Sequence, residues 1–303
     1  MAEMKGSLEW RGGYAKAATG GLGGPIVFAE DVDELFAYLK DDNPRKVVLR
    51  PYTNYDFRGK TLRCGSNKTL IGDVGSSIIR GEFRIQGEKN VIVYHVRFRD
   101  PHGDCLVSRD SDLVHVTWCT FDQGTVGTNK HGGKADGAFD VVGWAGRHTF
   151  AFNRVLRFHK VHLFGWSREQ SADMRITCYR NWYKGNRRIP QCNGGYIHMR
   201  NNVVDWYDAC AASYDKAHVW YDTCRIDSRK KKSPCGEYKR SGKPNGYLAF
   251  SGCTYVNCKY AEYKKDRAKL AKREFEDLTR TKNWSRIKKE AGMKYAKATR
   301  TVQ

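Results

Sequence analysis

Six stretches of the chain alternate apolar and polar residues with the period of two expected of a strand that buries one face. They are NVIVYHVRF (90–98), LVHVTWCTF (113–121), TFAFNRVL (149–156), MRITCYRNWY (174–183), YIHMRNNVV (196–204) and HVWYDTCRI (218–226). Equivalent positions recur after 23 residues (Phe98 to Phe121), 28 (Asn153 to Asn181) and 21 (Asn181 to Asn202). No helical periodicity separates them. Repeats of this length and β character predict the coils of a parallel β-helix, in which each coil buries its inner face only against its neighbours. Strand rhythm alone also suits a β-sandwich. Inward Asn153, Asn181 and Asn202 favour the solenoid, because amides at equivalent points of successive coils can hydrogen-bond along the stack. The expected fold is therefore all-β: a right-handed, single-stranded parallel β-helix with a helical, basic C-terminal tail.

The pattern changes twice near the C-terminal end. Residues 229–244 (RKKKSPCGEYKRSGKP) read as an exposed basic loop. Residues 259–303 carry 15 Lys or Arg against 6 Asp or Glu, and Leu270, Phe275, Leu278, Trp284 and Ile287 give them a loosely helical apolar stripe. The expected organisation is a β-helix domain over 1–258 and a tail over 259–303 that packs on the body or reaches assembly neighbours.

Charge sharpens the choice of partner. The 303-residue chain has a formal net charge of +21, so its partner should be anionic. No apolar run of about 18 residues predicts a membrane span, and the first thirty residues lack the order of a signal peptide. Ten cysteines without a CxxC pair argue against zinc and leave open whether they are bridged or free.

Within this basic chain the segment KADGAFDVVG (134–143) sets Asp136 and Asp140 close together. In a straight strand they would stand ~13 Å apart, too far to hold one ion, and a bend at Gly137 could bring them together. Asp104, in HGDCLV about one coil earlier, offers a third hard oxygen donor of the kind calcium takes. Asp-rich turns are common, and spacing alone leaves a metal site and a plain turn both open.

Taken together, these and other motifs carry a resemblance. The opening GYAKAATGGLGG (13–24), then SNKTLIGDVGSSIIRG (66–81) with NVIVYHVRFRD (90–100), DGAFDVV, HKVHLFGWS (159–167) and RRIPQCNGG (187–195) resemble, in order, the motifs of the pectate lyase family. The resemblance spans roughly residues 13 to 225. It implies Asp104, Asp136 and Asp140 as Ca2+ ligands, Lys160 as the cation meeting a substrate carboxylate, and Arg188, of Arg188-Ile189-Pro190, as the catalytic arginine. Arg187 and Asn193 fall where substrate is bound. The implied reaction is β-elimination on a polyuronate. Free arginine holds its proton above pH 12, so as a proton acceptor Arg188 needs the pressure of neighbouring cations such as Arg187 and Lys160. A plainer role for Arg188 is an ion pair with Asp140.

The chain also departs from the family's pattern. Thr117 and Trp118 replace an Asp-His pair, Asn193 stands where a second arginine is usual, His102 replaces a further acidic ligand of some members, and Val142 replaces a lysine. The leading expectation is a calcium-dependent lyase acting on an acidic polysaccharide, secreted if active. The alternative is a non-enzymatic β-helix protein of a large assembly such as a virion. Nucleic-acid binding ranks third, since the basic tail holds aromatics but no recognised motif.

Overall fold

The computed structural model of the protein describes residues 12–127, 132–167, 169–185, 187–207, 210–228, 246–258 and 282–292, and for Trp206 and Tyr207 the backbone alone. The basic loop 229–244 and the tail positions Leu270, Phe275 and Leu278 lie outside the described residues. Three parallel sheets of ten, nine and seven strands run the length of the molecule, and the chain visits them in turn. One coil shows the pattern: Lys89–Tyr94 joins the ten-stranded sheet, Arg97–Arg99 the nine-stranded sheet and Leu106–Arg109 the seven-stranded sheet. The next coil repeats it with Asp112–Thr117, Thr120–Asp122 and Phe139–Val142. This is the right-handed parallel β-helix expected from the sequence.

Each stretch read from the sequence as one strand is in fact two. The break falls at His95, Trp118, Phe152, Arg180, Asn201 and Thr223, which all adopt φ between 52° and 58°. A left-handed residue costs a side-chain-bearing position about 1–2 kcal/mol. The residue that follows helps offset this cost. Asn153 Oδ1 accepts the Cys119 N–H (2.7 Å), Asn181 Oδ1 accepts the Asn153 N–H (2.8 Å) and Asn202 Oδ1 accepts the Asn181 N–H (2.9 Å). Each amide also donates to a main-chain carbonyl of the preceding coil: Asn153 to Val116, Asn181 to Phe150 and Asn202 to Cys178, at 2.8–3.0 Å. Cysteines continue the column, with Cys119 donating to Val93 O and the Cys224 N–H meeting Cys253 Sγ. All nine described cysteines are free thiols, most of them buried.

Inside the coils, apolar side chains stack in files. The rings of Phe98 and Phe121 lie 5.0 Å apart and those of Phe139 and Phe150 lie 5.1 Å apart, both nearly parallel. A short helix that the rhythm does not announce, Val32–Lys40, closes the first coils by burying Leu35 and Leu39, with Asp31 as its N-cap. The Gly-rich opening segment crosses the outside of the ten-stranded sheet. There the N–H groups of Tyr14, Ala15 and Gly21 donate to the hydroxyls of Thr177, Thr149 and Thr69. Gly21 runs so close to the sheet that a Cβ would stand 2.0 Å from the Arg45 carbonyl oxygen.

Part of the tail is described. The helix Trp284–Glu290, N-capped by Asn283, buries Ile287; Lys288 pairs with Asp205 at 2.5 Å and Glu290 with Arg180 at 3.4 Å. Among the described residues no helix is long and apolar enough to cross a membrane.

Candidate active site

The loops that lead from the nine-stranded into the seven-stranded sheet vary in length, and the candidate side chains gather there. Asp104 precedes the strand Leu106–Arg109, Asp136 and Asp140 flank and enter Phe139–Val142, Lys160 precedes Leu163–Phe164, and Arg188 precedes Gln191–Asn193. Successive loops are laced by isolated parallel bridges, Gly103 to Ala135 and Lys160 to Arg187. The sheet register sets Val107 beside Asp140, so that Asp140 points outward between the inward Phe139 and Val141.

The chain bends at Ala138 rather than at Gly137, and Gly137 instead lies between the acids. Its N–H donates to Asp104 Oδ1 at 2.6 Å, and a Cβ built on it would lie 2.8 Å from Asp104 Oδ1 and 2.8 Å from Asp140 Oδ1. Two carboxylate oxygens thus flank one small space that any larger residue would fill. Asp140 Oδ1 in turn accepts the Leu163 N–H at 2.8 Å. Asp136 is held otherwise: its Oδ1 stands 2.5 Å from the Lys160 ammonium.

Burial and mutual repulsion act on this group. Burial, with the nearby Asp136 charge behind it, raises the Asp104 carboxyl from 3.8 to about 6, against the opposing Gly137 N–H and Lys160. Burial first, then Asp104 and Asp136, lifts Asp140 well above the usual carboxylate range, while the Leu163 N–H and Arg188 pull the other way. A fourth acid, which spacing does not reveal, joins them. Glu82, one coil earlier, accepts the Asp104 backbone N–H and adds to the charge on Asp104. Burial raises its pKa, opposed chiefly by Arg84, whose Nε donates to Oε1 at 2.6 Å. The register equates Glu82 with Cys105 rather than Asp104, an offset that no linear motif displays.

Arg188 sits at φ 58° ahead of the cis Ile189–Pro190 bond. Its carbonyl accepts the His162 N–H at 2.9 Å, and Ile189 N–H donates to Cys210 O at 2.8 Å, which fix the turn. The guanidinium makes no ion pair within 4.0 Å with a described carboxylate, so the plainer role of a bridge to Asp140 is not realised; its charge still reaches that acid. Arg187 is half-buried beside Lys160 in the neighbouring loop.

Asn193 does not join the group. It is 2 % exposed and its amide nitrogen donates to Gly165 O at 2.8 Å, and burial covers its oxygen as well, so neither polar atom reaches the surface. Thr117 and Trp118 end a strand of the ten-stranded sheet and its corner, where the Trp118 ring stacks on Phe152 at 4.4 Å. That pair of departures therefore lies on a different wall from the acids. His102 leans toward Gly59 of an earlier coil, and Val142 is buried.

The donor chemistry of these residues suits a calcium ion. The donors are hard carboxylate oxygens, two of them already flank one point, and the burial and mutual repulsion that raise Asp104 and Asp140 are what a divalent cation would offset. Among the described residues no three His, Cys, Asp or Glu side chains are yet set to hold a metal together. Asp136, engaged by Lys160, is the one that would have to turn.

The pectate lyase family profile matches residues 50–223. Pectate trisaccharide-lyase of Thermotoga maritima is 25% identical over 204 residues, 62% of this chain and 53% of that protein. Pectate lyase B of Colletotrichum gloeosporioides is 27% identical over 204 residues, 64% of this chain and 59% of that one. The chain thus spans a little over half the length of the curated relatives it matches. Among solved structures, a pectate lyase from Bacillus sp. N165 in complex with trigalacturonate superimposes with a TM-score of 0.79 at 17% identity, covering 92% of this chain and 98% of that one. Family profile and relatives agree: this chain belongs to the pectate lyase family.

Proposed function

We propose that the protein is a calcium-dependent polysaccharide lyase that cleaves a polyuronate by β-elimination. The observation that carries this reading is the convergence, at one corner of the coils, of a mutually repelling acid group with Lys160 and with an arginine that forms no ion pair to a described carboxylate. Membership of the pectate lyase family and the net charge of +21, which would draw a polyanion to the surface, support it.

Asp104, Asp136 and Asp140 would hold calcium, which when bound supplies a Lewis acid for the substrate carboxylate. In such a reaction negative charge grows on the carboxylate as the neighbouring C–H bond breaks, so cations placed there before the reaction lower the barrier. Lys160 is the protein's own cation for that purpose, exchanging Asp136 for the substrate. Arg188, in its neutral form, takes the proton from C5. The C–H electron pair becomes the C4=C5 double bond as the glycosidic oxygen leaves C4 with its bonding pair and takes a proton from solvent water. Glu82 keeps Asp104 aimed through the Asp104 N–H.

The test is to mix the protein with polygalacturonate and calcium and follow the ultraviolet absorbance of the unsaturated product, with Arg188→Ala as control. A rise that is abolished by chelator and by the substitution is expected. Flat traces for the wild type over a range of pH and of polyuronates would refute the reading.

A further inference from the structure

The seven-stranded sheet has a second edge, where its strands leave toward the ten-stranded sheet, and that edge carries two exposed tryptophans. Trp144 is 67% exposed and Trp166 is 40% exposed. Other described tryptophans are covered by packing: Trp118 lies on Phe152, and Trp182 lies beneath Arg154 and Lys288. The two exposed rings belong to adjacent coils. Val141 and Phe164 are register partners, and the chain reaches Trp144 three residues after the first and Trp166 two residues after the second.

Arg109 ties the two turns together. Its guanidinium carbon stands 4.4 Å above the centre of the Trp166 ring, and its Nε is 3.3 Å from Asp110 Oδ2. The other oxygen of Asp110 accepts the Trp144 N–H at 2.8 Å. This turn requires Gly143, where a Cβ would stand 2.1 Å from Asp110 Oδ1. One carboxylate thus orients the arginine that covers one indole and fixes the backbone that carries the other. The cluster also faces the same side as the acid corner. Arg109 pairs in register with Val142 and Val107 with Asp140, so Arg109 and Asp140 leave the sheet on one face, offset by two residues or ~7 Å along the strand direction.

We propose that Arg109, Trp144 and Trp166 form a second saccharide-contact station, which binds a uronate unit of the polymer beyond the unit at the acid corner. The inference deepens the lyase reading and rests on it. The open Trp144 ring, with a planar cation fixed over one face of the neighbouring Trp166, matches a sugar acid on both counts: the C–H face of a pyranose packs on an exposed indole face, and the carboxylate meets the guanidinium with two parallel hydrogen bonds. A polyuronate repeats that combination along its length, so a chain gripped at one edge of the sheet offers further units to the other.

The experiment compares full-length wild type with Trp166→Ala, Trp144→Ala and Arg109→Gln, using polygalacturonate, trigalacturonate and single-stranded DNA as probes. Binding is read by affinity electrophoresis and calorimetry, and KM and kcat separately by product absorbance; thermal unfolding checks that each variant is folded. Trp166→Ala is expected to weaken polygalacturonate binding about tenfold and raise KM with kcat kept, Arg109→Gln to do the same, and trigalacturonate to be affected much less. Variants that bind the polymer as tightly as wild type would overturn the proposal while leaving the lyase reading intact. Loss of DNA binding in the variants, with polygalacturonate binding unchanged, would overturn it in favour of base stacking. A wild type that binds neither uronate would bring down both readings together.

Discussion

Two corners of the same coil have opposite electrostatics. Where the ten-stranded sheet turns into the nine-stranded sheet, Asn153, Asn181 and Asn202 are wholly buried, and each amide gives and receives hydrogen bonds along the stack. Where the nine-stranded sheet turns into the seven-stranded sheet, Asp104 and Asp140 face one another across Gly137 with Asp136 and Glu82 close by. Polar groups at the first corner satisfy one another. Those at the second repel. Stacking identical groups on adjacent coils is thus stabilising for an amide, which both donates and accepts, and destabilising for a carboxylate, which ionised only accepts. The first corner holds the solenoid together, and the second is destabilising by itself, an expense that the proposed function would explain by a cation and an anionic sugar.

Substitutions should separate the two corners cleanly. The largest effect expected is on turnover: Arg188→Ala should lower kcat by about 10²–10⁴-fold, the range for a lost proton-transfer group, while the unfolding midpoint stays near wild type. Next, Asn181→Leu should destabilise the fold by about 3–5 kcal/mol in urea, since it orphans the buried Asn153 N–H and Phe150 carbonyl and sets a misfitting side chain between coils. Its residual folded fraction should keep normal KM. In contrast Asp104→Asn should stabilise the protein in chelator above pH 7, by up to about 3 kcal/mol if the whole rise from 3.8 to about 6 is relieved, and abolish turnover. The smallest effect belongs to Glu82→Gln, expected to weaken calcium binding a few-fold through a misaimed Asp104, with the fold retained; an unchanged calcium affinity would remove Glu82 from the site.

Much of the first corner was legible in the sequence, because asparagine at a fixed phase of a 21–28-residue repeat has few other uses in a buried strand. The corner itself was not. Left-handed Trp118, Phe152, Arg180 and Thr223 are side chains with no local preference for that conformation, imposed by the stack rather than by their own sequence, so each pair of strands read as one. At the second corner the order of motifs brought out Asp104, Asp136, Asp140, Lys160 and Arg188, all of which the fold gathers. It placed Asn193 at the substrate, although that side chain is covered at the Gly165 turn, and it passed over Glu82, Arg109 and the exposed tryptophans. Those depend on which residues adjoin across coils, and loops of unequal length hide that register.

The pH dependence of the fold tests the repelling corner most directly. Asp104 titrates near 3.8 when unfolded and near 6 when folded, so the folded state holds its proton more tightly. Its contribution to stability is complete below about pH 3.8 and is lost as pH rises to about 6, and Asp140 moves in the same direction. Calcium needs both carboxylates ionised, so its binding should strengthen over the same interval. The decisive measurement is thermal unfolding of wild type and Asp140→Asn at pH 5 and pH 8, each with chelator and with excess calcium. In chelator at pH 8 the variant should melt above wild type; calcium should raise the wild-type melting temperature at pH 8 far more than at pH 5 and leave the variant nearly unmoved. A variant that melts below wild type in chelator, together with a wild type indifferent to calcium at both pH values, would contradict the claim that these acids repel until a cation joins them.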